Sequence, residues 1–491
     1  MLSNPVRTRS SYLVAGVFVL ALGTRIAFSL GNVHSPDNHI QVIELLRTTH
    51  EYPQPEECWS CFQPQLYYRI AAFWLDILSA LGIGTSERGA VQALQILNAL
   101  IGFATLLVIA RWLSFLNLSP PTRLATIAII ALNPRFIIVN GRVTNDTLVI
   151  FLSTVGIVLL HLYFVRPRMR VLLLSAAAVV LGNTTKGSAL PALALFAICL
   201  AVPWRYPVER SCESSRYLGR LLIVGAVIVL VFFGGTYARN LQKYKRPFVL
   251  NIGLTAERLY GNAGGRPFWY DHDQYFSSPS GTARPPWGAV AWESFLTFRP
   301  IDLVRHPCND KSPESESGAI RSPDHMRSVW TQIYARANSA RFHPVPPAFL
   351  AKTPFSRGVC RLIFILALAP LALVLGYLAS RAVRYLQELR DSPRRLAFRR
   401  PDCVLWLCFV LTVLFAAAYN YHLGHFSATK AVYYYPGMCG FLLFFARGRE
   451  WLAGRAGPGN LPRLGWIVDL SVAALAVLYT LDVWSVILTE F

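Results

Sequence analysis

Residues 12–30 read YLVAGVFVLALGTRIAFSL, a run that is almost entirely apolar. A bilayer core about 30 Å thick needs roughly 20 apolar residues per helix, so this run is long enough to cross it. Arg7 and Arg9 precede it, which predicts a cytoplasmic N-terminus by the positive-inside rule. No small-residue cleavage site follows the run, so we expect a membrane span and not a signal peptide.

The rest of the chain repeats this pattern. Of 491 residues, 54% are hydrophobic and 15% are charged, whereas soluble proteins carry about 25% charged residues. This composition excludes a soluble enzyme, a disordered chain and a nucleic-acid-binding protein. It predicts an all-α integral membrane protein with about eleven spans. The predicted spans are 12–30, 90–110, 124–140, 146–165, 171–184, 188–203, 220–237, 359–380, 402–419, 431–446 and 465–486.

Basic residues are distributed as this topology requires. The predicted cytoplasmic segments contain 22 of the 47 Lys and Arg residues, and the short outward segments contain six. The long outward segment 238–357 is left out of this comparison, because the positive-inside rule applies only to short loops. The net charge of +21 is therefore explained by membrane orientation, no nucleic-acid partner is expected, and the C-terminus is predicted to lie outside.

We divide the chain into three parts. Residues 1–237 form an N-terminal transmembrane module, 238–357 an extracytoplasmic loop domain, and 358–491 the C-terminal transmembrane helices. The first outward loop, 31–89, contains two amphipathic stretches that we expect to lie as helices on the membrane surface.

Cys58 and Cys61 form a C-x-x-C pair in this outward loop. Thioredoxin-like chemistry would require a βαβ context, and a zinc site would require two more ligands. The favoured interpretation is a structural disulfide, because oxidising compartments preserve such bonds.

Polar residues at the outward membrane edge are the candidate functional residues, because ionisable groups near a bilayer are costly. Asp37 follows the first span. It could cap the helix beginning near His39, or it could act as a general base where a lipid-borne substrate meets an aqueous one. His34, Asp37 and His39 could also suggest a metal site, but a carboxylate-rich site would need more oxygen ligands, so no metal or other cofactor is expected.

Two short outward turns carry further candidates. Asn145 or Asp146 could cap the fourth span, or could bind a hydroxylated or phosphorylated ligand together with Arg142. Lys186 could extend to the headgroups or bind a lipid phosphate. Arg239 and Lys430 are predicted at the same depth, so the four cations lie on one membrane face beside two carboxylates. That pattern suits an anionic lipid headgroup.

These motifs together resemble the GT-C superfamily of polytopic glycosyltransferases, and most closely the family-39-like branch of protein O-mannosyltransferases and aminoarabinose transferases. The resemblance is carried by segments spread over residues 1–260, and more loosely by residues 400–450. The matching segments are Pro36-Asp37-Asn38-His39, Phe62-Gln63-Pro64-Gln65-Leu66-Tyr67-Tyr68, Asn145-Asp146, Leu181–Gly187, Tyr237-Ala238-Arg239-Asn240 with Tyr244 and Pro247, Lys430 and Tyr434-Tyr435-Pro436.

The sequence departs from the family pattern at three positions. Asn38 stands where the family has Glu, Gln63 replaces His or Lys, and Gln65 replaces Pro. Asp37 is kept, so the expected base is present. The lysine that contacts the lipid phosphate in the family is absent at Gln63, and Arg69 or Lys186 could substitute for that lysine.

The resemblance implies inverting transfer of a hexose or pentose from a polyprenyl-phosphate donor to an acceptor hydroxyl on a protein, lipid or glycan. Asp37 would remove the acceptor proton, and Lys186, Arg239, Lys430 and Arg142 would stabilise the departing phosphate. The remaining expected donor or substrate contacts are Asn38, His39, Tyr67, Tyr68, Asn145, Asp146 and Tyr435. The expected location is a bacterial inner membrane, with the site extracytoplasmic.

Two other functional classes remain open at this point. A transporter or flippase for a lipid-linked glycan should show inverted repeats and polar residues within its spans, whereas here polar residues gather at the outward edge. A non-catalytic scaffold of the same fold is the second alternative, since Asn38 in place of Glu is compatible with lost activity.

Overall fold

The computed structural model describes residues 5–32, 39–55, 57–58, 60–84, 86–201, 213–245, 247–249, 292–305, 307, 328–341, 353–391, 402–423, 430–455 and 462–490. Asp37 and Asn38 lie outside these residues, as does most of the predicted loop domain. Within them the regular structure is helical, with no β-strand.

Eighteen α-helices are described. The first nine are α1 (Pro5–Gly31), α2 (His39–Thr49), α3 (Leu66–Ala80), α4 (Glu87–Leu113), α5 (Pro120–Ala131), α6 (Pro134–Asn140), α7 (Asp146–Val165), α8 (Met169–Asn183) and α9 (Leu190–Ala201). The next nine are α10 (Glu213–Phe233), α11 (Thr236–Tyr244), α12 (Pro300–Arg305), α13 (Val329–Asn338), α14 (Pro354–Leu366), α15 (Leu368–Asp391), α16 (Asp402–Leu423), α17 (Met438–Arg455) and α18 (Pro462–Glu490). Short 3-10 helices occupy Gly187–Ala189, Trp292–Phe295 and Ala431–Gly437.

The protein is an integral, multi-pass membrane protein. Among the described residues, six helical segments are long and apolar enough to cross a bilayer, or up to eight if each of two bent helix pairs is one span. The predicted count of about eleven is therefore not confirmed. The difference arises because α8 and the segment Gly187–Ala201 are short, and because the predicted span 431–446 begins as a 3-10 helix.

The predicted span 124–140 is two helices bent by 54°. Asn133 and Pro134 cause the break, since proline disfavours helical geometry in the residue before it. The Asn133 side chain caps α6 by accepting from Phe136 N at 3.0 Å, and it donates to Ala337 O at 2.9 Å. The Tyr435 hydroxyl donates to Asn133 Oδ1 at 2.8 Å. One bend thus connects the bundle to α13 and to Ala431–Gly437.

The long helix α4 lies in the N-terminal half of the bundle, packed against α1, α6 and α7. At Gly102, a Cβ atom would come within 2.2 Å of the Asn140 side chain. Only glycine allows this approach, in the way that small residues let membrane helices pack closely. Because α6 continues into the outward turn 141–145, this contact fixes the height of that turn relative to α4.

The surface helices α2 and α3 pack on each other and form a second, smaller core with the outward half of α4. Tyr67 and Tyr68 are fully buried in this core. The opposite side of α3 exposes Phe73 and Leu81, at 66% and 67% of their surfaces. An amphipathic helix of this kind suits the membrane interface predicted for it. We use "outward face" for the membrane side that carries α2 and α3, after the predicted orientation.

The described part of the loop domain is anchored to the last helix. Asp482, in the outward half of α18, is fully buried. Its Oδ2 atom accepts from Ala340 N at 2.7 Å and from Ser339 Oγ at 3.3 Å. Arg341 Nη2 donates to Ser485 Oγ at 3.1 Å. These contacts attach the end of α13 to α18 across more than 140 residues of sequence.

A carboxylate at the opposite face caps α5. Glu450 Oε1 accepts from Ser119 N at 3.0 Å, from Ser119 Oγ at 2.6 Å and from the Thr122 hydroxyl. Burial raises the pKa of Glu450, but these hydrogen bonds and the nearby charge of Arg449 outweigh burial, so its pKa lies below the usual range. The ionised carboxylate therefore stabilises the fold.

The cap predicts a pH dependence. Because the folded pKa of Glu450 lies below its unfolded pKa, its contribution is complete above the unfolded value, about 4.3, and is lost as pH falls through the folded value. We expect the Tm in detergent to fall more steeply on acidification in the wild type than in Glu450→Gln. Glu44→Gln, at an exposed position, should follow the wild type. Equal slopes for all three proteins would contradict the cap.

Candidate active site

An ion pair lies at the outward end of α7. Lys186 Nζ donates to Asp146 Oδ1 at 2.7 Å. The two side chains expose only 18% and 13% of their surfaces, so the pair is largely shielded from water. Thr144 Oγ1 donates to Asp146 Oδ2 at 3.1 Å and accepts from Asp146 N at 3.2 Å. The two outward turns predicted from the sequence therefore meet at one charged centre.

Further charges surround the pair. Lys430 and His39 lie close enough to Asp146 for their charges to act on its carboxylate. Lys430 is brought there because Ala431–Gly437 packs against Gly187–Ala189 and against α7. Two lysines and a histidine thus surround one buried carboxylate in the described part of the site, which makes its electrostatic environment predominantly basic.

The Asn145 side chain does not cap α7. Its Nδ2 atom donates to Gln63 Oε1 and approaches Thr185 O at 3.4 Å. The backbone adds another link, since Leu66 N donates to Thr184 O at 3.1 Å. The Phe62–Tyr68 motif is therefore joined to both outward turns, which explains why Gln63, one of the departures from the family pattern, lies in the site.

Asn98 supports the turn 141–145 from below. This residue of α4 is fully buried. Its Nδ2 atom lies 2.6 Å from Arg142 O, 3.0 Å from Thr144 O and 3.0 Å from the Tyr67 hydroxyl. Burial raises the pKa of Tyr67, so the phenol stays protonated. A single amide therefore holds two backbone carbonyls and α3 in fixed positions beside Asp146.

Asn98→Ala should destabilise the protein by about 2–4 kcal/mol, because an unsatisfied buried polar group costs about 1–3 kcal/mol and the two amide hydrogens of Asn98 are shared among three acceptors. The measurement is equilibrium or thermal unfolding in detergent. Gln92→Ala in the same helix removes one hydrogen bond, from Gln92 Nε2 to Leu30 O, and should cost about 1 kcal/mol or less. Similar losses for the two variants would show that Asn98 has no special supporting role.

Arg239 approaches the site from α11. The Tyr237 hydroxyl donates to Asn183 O at 3.3 Å, which places α11 beside the Lys186 turn. The Arg239 guanidinium lies over the Tyr52 ring, with Cζ 5.1 Å from the centroid. Its Nε and Nη2 atoms make no hydrogen bond to the residues that the structure describes. Arg239 thus has two buried donor atoms that no described residue satisfies.

Cys58 and Cys61 form a disulfide, with their Cα atoms 5.1 Å apart. The bond lies in the loop between α2 and α3, and both cysteines are buried against these helices. The loop therefore belongs to the packed core beneath the site.

Four other residues considered from the sequence make contacts of their own. Tyr435 is buried against Phe136, with ring centroids 5.3 Å apart, and is bonded to Asn133. Tyr68 lies below the surface, where its hydroxyl is 2.8 Å from His39 Nδ1. Arg142 is half-buried and contributes its carbonyl to the Asn98 contacts. Arg69 is exposed and donates to Gln65 Oε1 at 2.9 Å.

No three His, Cys, Asp or Glu residues form a possible metal-binding group within the described ranges. His34 and Asp37, two of the three residues considered as metal ligands from the sequence, lie outside those ranges.

Two residues of the site, Asn98 and Tyr52, were not predicted from the sequence. Asn98 lies within an apolar span, and a polar residue there was the available signal. Tyr52 precedes Pro53 in a loop without periodicity, so only its contact with Arg239 reveals it.

Solved structures share this architecture. The protein O-mannosyltransferase Pmt1-Pmt2 complex of S. cerevisiae, bound to the sugar donor, matches with a TM-score of 0.52 at 10% identity, covering 100% of this chain and 91% of that one. The oligosaccharyltransferase of Archaeoglobus fulgidus in the apo form matches with a TM-score of 0.51 at 12% identity, covering 96% of this chain. The chain has the GT-C fold.

This GT-C chain spans 56% of the length of the archaeal enzyme. The same oligosaccharyltransferase in complex with an inhibitory peptide and a dolichol-phosphate matches with a TM-score of 0.50 at 12% identity, covering 96% of this chain and 55% of that one. No protein-family model and no curated protein matches the sequence. The resemblance to the GT-C superfamily is thus confirmed at the level of the fold.

Proposed function

We propose that this GT-C protein is a membrane glycosyltransferase that uses a polyprenyl-phosphate sugar. It transfers the sugar, with inversion, to an acceptor hydroxyl on a protein, lipid or glycan at the outward face. Asp37 is the proposed general base, and the reaction requires no metal. The protein acts in the cell envelope, in a bacterial inner membrane with a cytoplasmic N-terminus.

One observation carries the proposal. The outward turns of the bundle bring Lys186 and Lys430 to Asp146, and α11 places Arg239 beside the turn that carries Lys186. Cations clustered at that depth suit a phosphate that is attached to a lipid and cannot leave the membrane. Two solved neighbours support the same class of ligand, since the yeast complex is bound to the sugar donor and the archaeal oligosaccharyltransferase is in complex with a dolichol-phosphate.

The proposed reaction is a direct displacement of the lipid phosphate from the sugar. The acceptor oxygen forms a bond to the anomeric carbon while the bond from that carbon to the phosphate oxygen breaks. Asp37 accepts the hydroxyl proton, and the lipid phosphate departs with the bonding electrons. Its negative charge increases in the transition state, so preorganised cations such as Arg239 and Lys430 lower the barrier.

Among the cations, Lys186 is held by Asp146 in this structure. Arg239 and Lys430 are the proposed phosphate-binding cations outside this pair, and Lys186 contributes once the phosphate competes with Asp146 for it. Asn145 and Thr144 contribute as hydrogen-bonding groups beside the pair, where they suit sugar hydroxyls.

The test uses the purified protein in nanodiscs with a panel of polyprenyl-phosphate hexoses and pentoses. We expect one donor to raise the Tm and to be consumed with release of polyprenyl phosphate when an acceptor mixture is present. Donors that neither bind nor react would overturn the proposal. Movement of intact donor across the membrane without consumption would instead support a flippase.

A further inference from the structure

The loop that carries the C-x-x-C pair contacts Arg239 through an aromatic side chain. Tyr52 is half-buried at the edge of the core formed by α2, α3 and α4, and its ring lies under the Arg239 guanidinium at 5.1 Å. Burial raises the pKa of Tyr52, although the charges of Arg239 and Arg69 act against this shift. The phenol therefore stays protonated, and Tyr52 contacts Arg239 as a neutral aromatic ring.

Tyr52 is itself held by the other end of the same loop. Its hydroxyl donates to the backbone carbonyl of Gln63, and the Gln63 side chain accepts from Asn145. Gln63 N donates to Ser60 O at 3.2 Å, and Cys61 N donates to Cys58 O at 3.2 Å. Gln63 thus follows directly on the tight turn that the Cys58–Cys61 disulfide closes.

A second contact links this loop to α11, the helix that carries Arg239. Lys243 Nζ, one turn after Arg239, donates to Gln54 Oε1 at 3.3 Å. Gln54 N is in turn bonded to Glu57 Oε2 at 3.1 Å. The loop therefore contacts α11 at two positions, whereas its other contacts reach the turns around Asp146 and Lys186.

We propose that the disulfide-closed loop 52–63 is a positioning element for the phosphate-binding cation. The Cys58–Cys61 bond fixes Gln63, Gln63 fixes Tyr52, and Tyr52 orients the Arg239 guanidinium toward the phosphate of a lipid-linked ligand. Tyr52 acts through Arg239 and is not a catalytic residue. The phosphate in this inference rests on the proposed function, whereas the connection from the disulfide to Arg239 does not.

The first experiment measures binding of undecaprenyl phosphate, without sugar, to the full chain in nanodiscs. Loss of a partly desolvated cation–π contact should raise Kd about five- to thirtyfold in Tyr52→Leu, whereas Tyr52→Phe, which keeps the ring, should raise it about threefold. Tyr12→Leu is the matched control, because Tyr12 is exposed and lies near the start of α1, at the face opposite to the outward face. A Tyr52→Leu protein that binds like the wild type, when Arg239→Gln does not, would overturn the inference.

Reduction of the disulfide provides a readout that a merely structural role would not give. A reductant should raise Kd in the wild type and in Cys403→Ser, which lacks a half-buried thiol outside the disulfide. It should have no further effect in Tyr52→Leu or in Cys58→Ser/Cys61→Ser, because the connection to Arg239 is already broken. Additive effects of the reductant and Tyr52→Leu would contradict the connection.

Hydrogen exchange separates failure of this inference from failure of the proposed function. Backbone amides of residues 236–245 should exchange faster in Tyr52→Leu and in the reduced wild type than in the oxidised wild type, without any ligand. Faster exchange together with no binding of undecaprenyl phosphate would support the positioning and reject the phosphate ligand. Unchanged exchange would overturn the positioning whatever the protein binds.

Discussion

Asp37→Asn is expected to lower kcat for sugar transfer about 10²–10⁴-fold, which is the usual contribution of a general base. The amide keeps the size of the side chain and cannot accept the acceptor proton. Donor binding should change little, because the proposed phosphate contacts are the cations Lys186, Arg239 and Lys430 and do not include Asp37. The measurement is product formation under saturating donor, together with donor-induced stabilisation of the same protein.

A matched carboxylate serves as the control for this substitution. Asp76 lies on α3 and pairs with Arg47 at 2.8 Å, with 58% of its side chain exposed. Asp76→Asn should leave kcat within about twofold, because an exposed pair contributes little to stability and is remote from Asp146. If Asp37→Asn transfers sugar at the wild-type rate, another residue is the base.

Lys186→Met is expected to remove most activity and to destabilise the protein by about 3–5 kcal/mol, the typical cost of leaving one partner of a buried pair unpaired. Asp146→Asn should likewise destabilise the fold, because Lys186 then lacks its counter-charge. Unfolding in detergent measures the stability, and polyprenyl phosphate release measures the activity.

The double variant Asp146→Asn/Lys186→Met separates folding from function. Replacing both partners of a buried pair is often close to neutral for stability, so the double variant should recover much of the lost Tm. Its activity should stay at least about 100-fold below the wild type, because one of the cations proposed to stabilise the leaving phosphate is missing. Recovery of both properties would assign the pair a purely structural role.

Hydropathy alone located most of the membrane helices. The predicted spans 12–30, 146–165 and 402–419 lie within α1, α7 and α16. The bends were harder to predict, because the window that detects a span averages over Asn133-Pro134 and over Gly234-Gly235, where α10 and α11 meet at 57°. A break of one or two residues scarcely changes the mean hydropathy, yet it redirects half of the span.

The sequence predicted several residues of the site but did not predict which of them contact each other. The sequence indicated that Asp146 and Lys186 lie at the same membrane depth. It could not show that the two pair, because they are 40 residues apart and belong to different turns. Asn98 illustrates the same limit, since its amide has three partners on two other segments. Tyr435 was included through its motif, whereas its hydroxyl contributes to the bend at Asn133.

Asp482 has a consequence for biosynthesis. The last helix of the bundle supplies the acceptor for the Ala340 amide, and α18 also packs against α1, α5 and α6. Until α18 has been synthesised and inserted, the backbone at residues 339–340 lacks this acceptor. The attachment of residues 339–341 to α18 must therefore form after α18 has been inserted, and a chain truncated before α18 would present unsatisfied polar groups to cellular quality control.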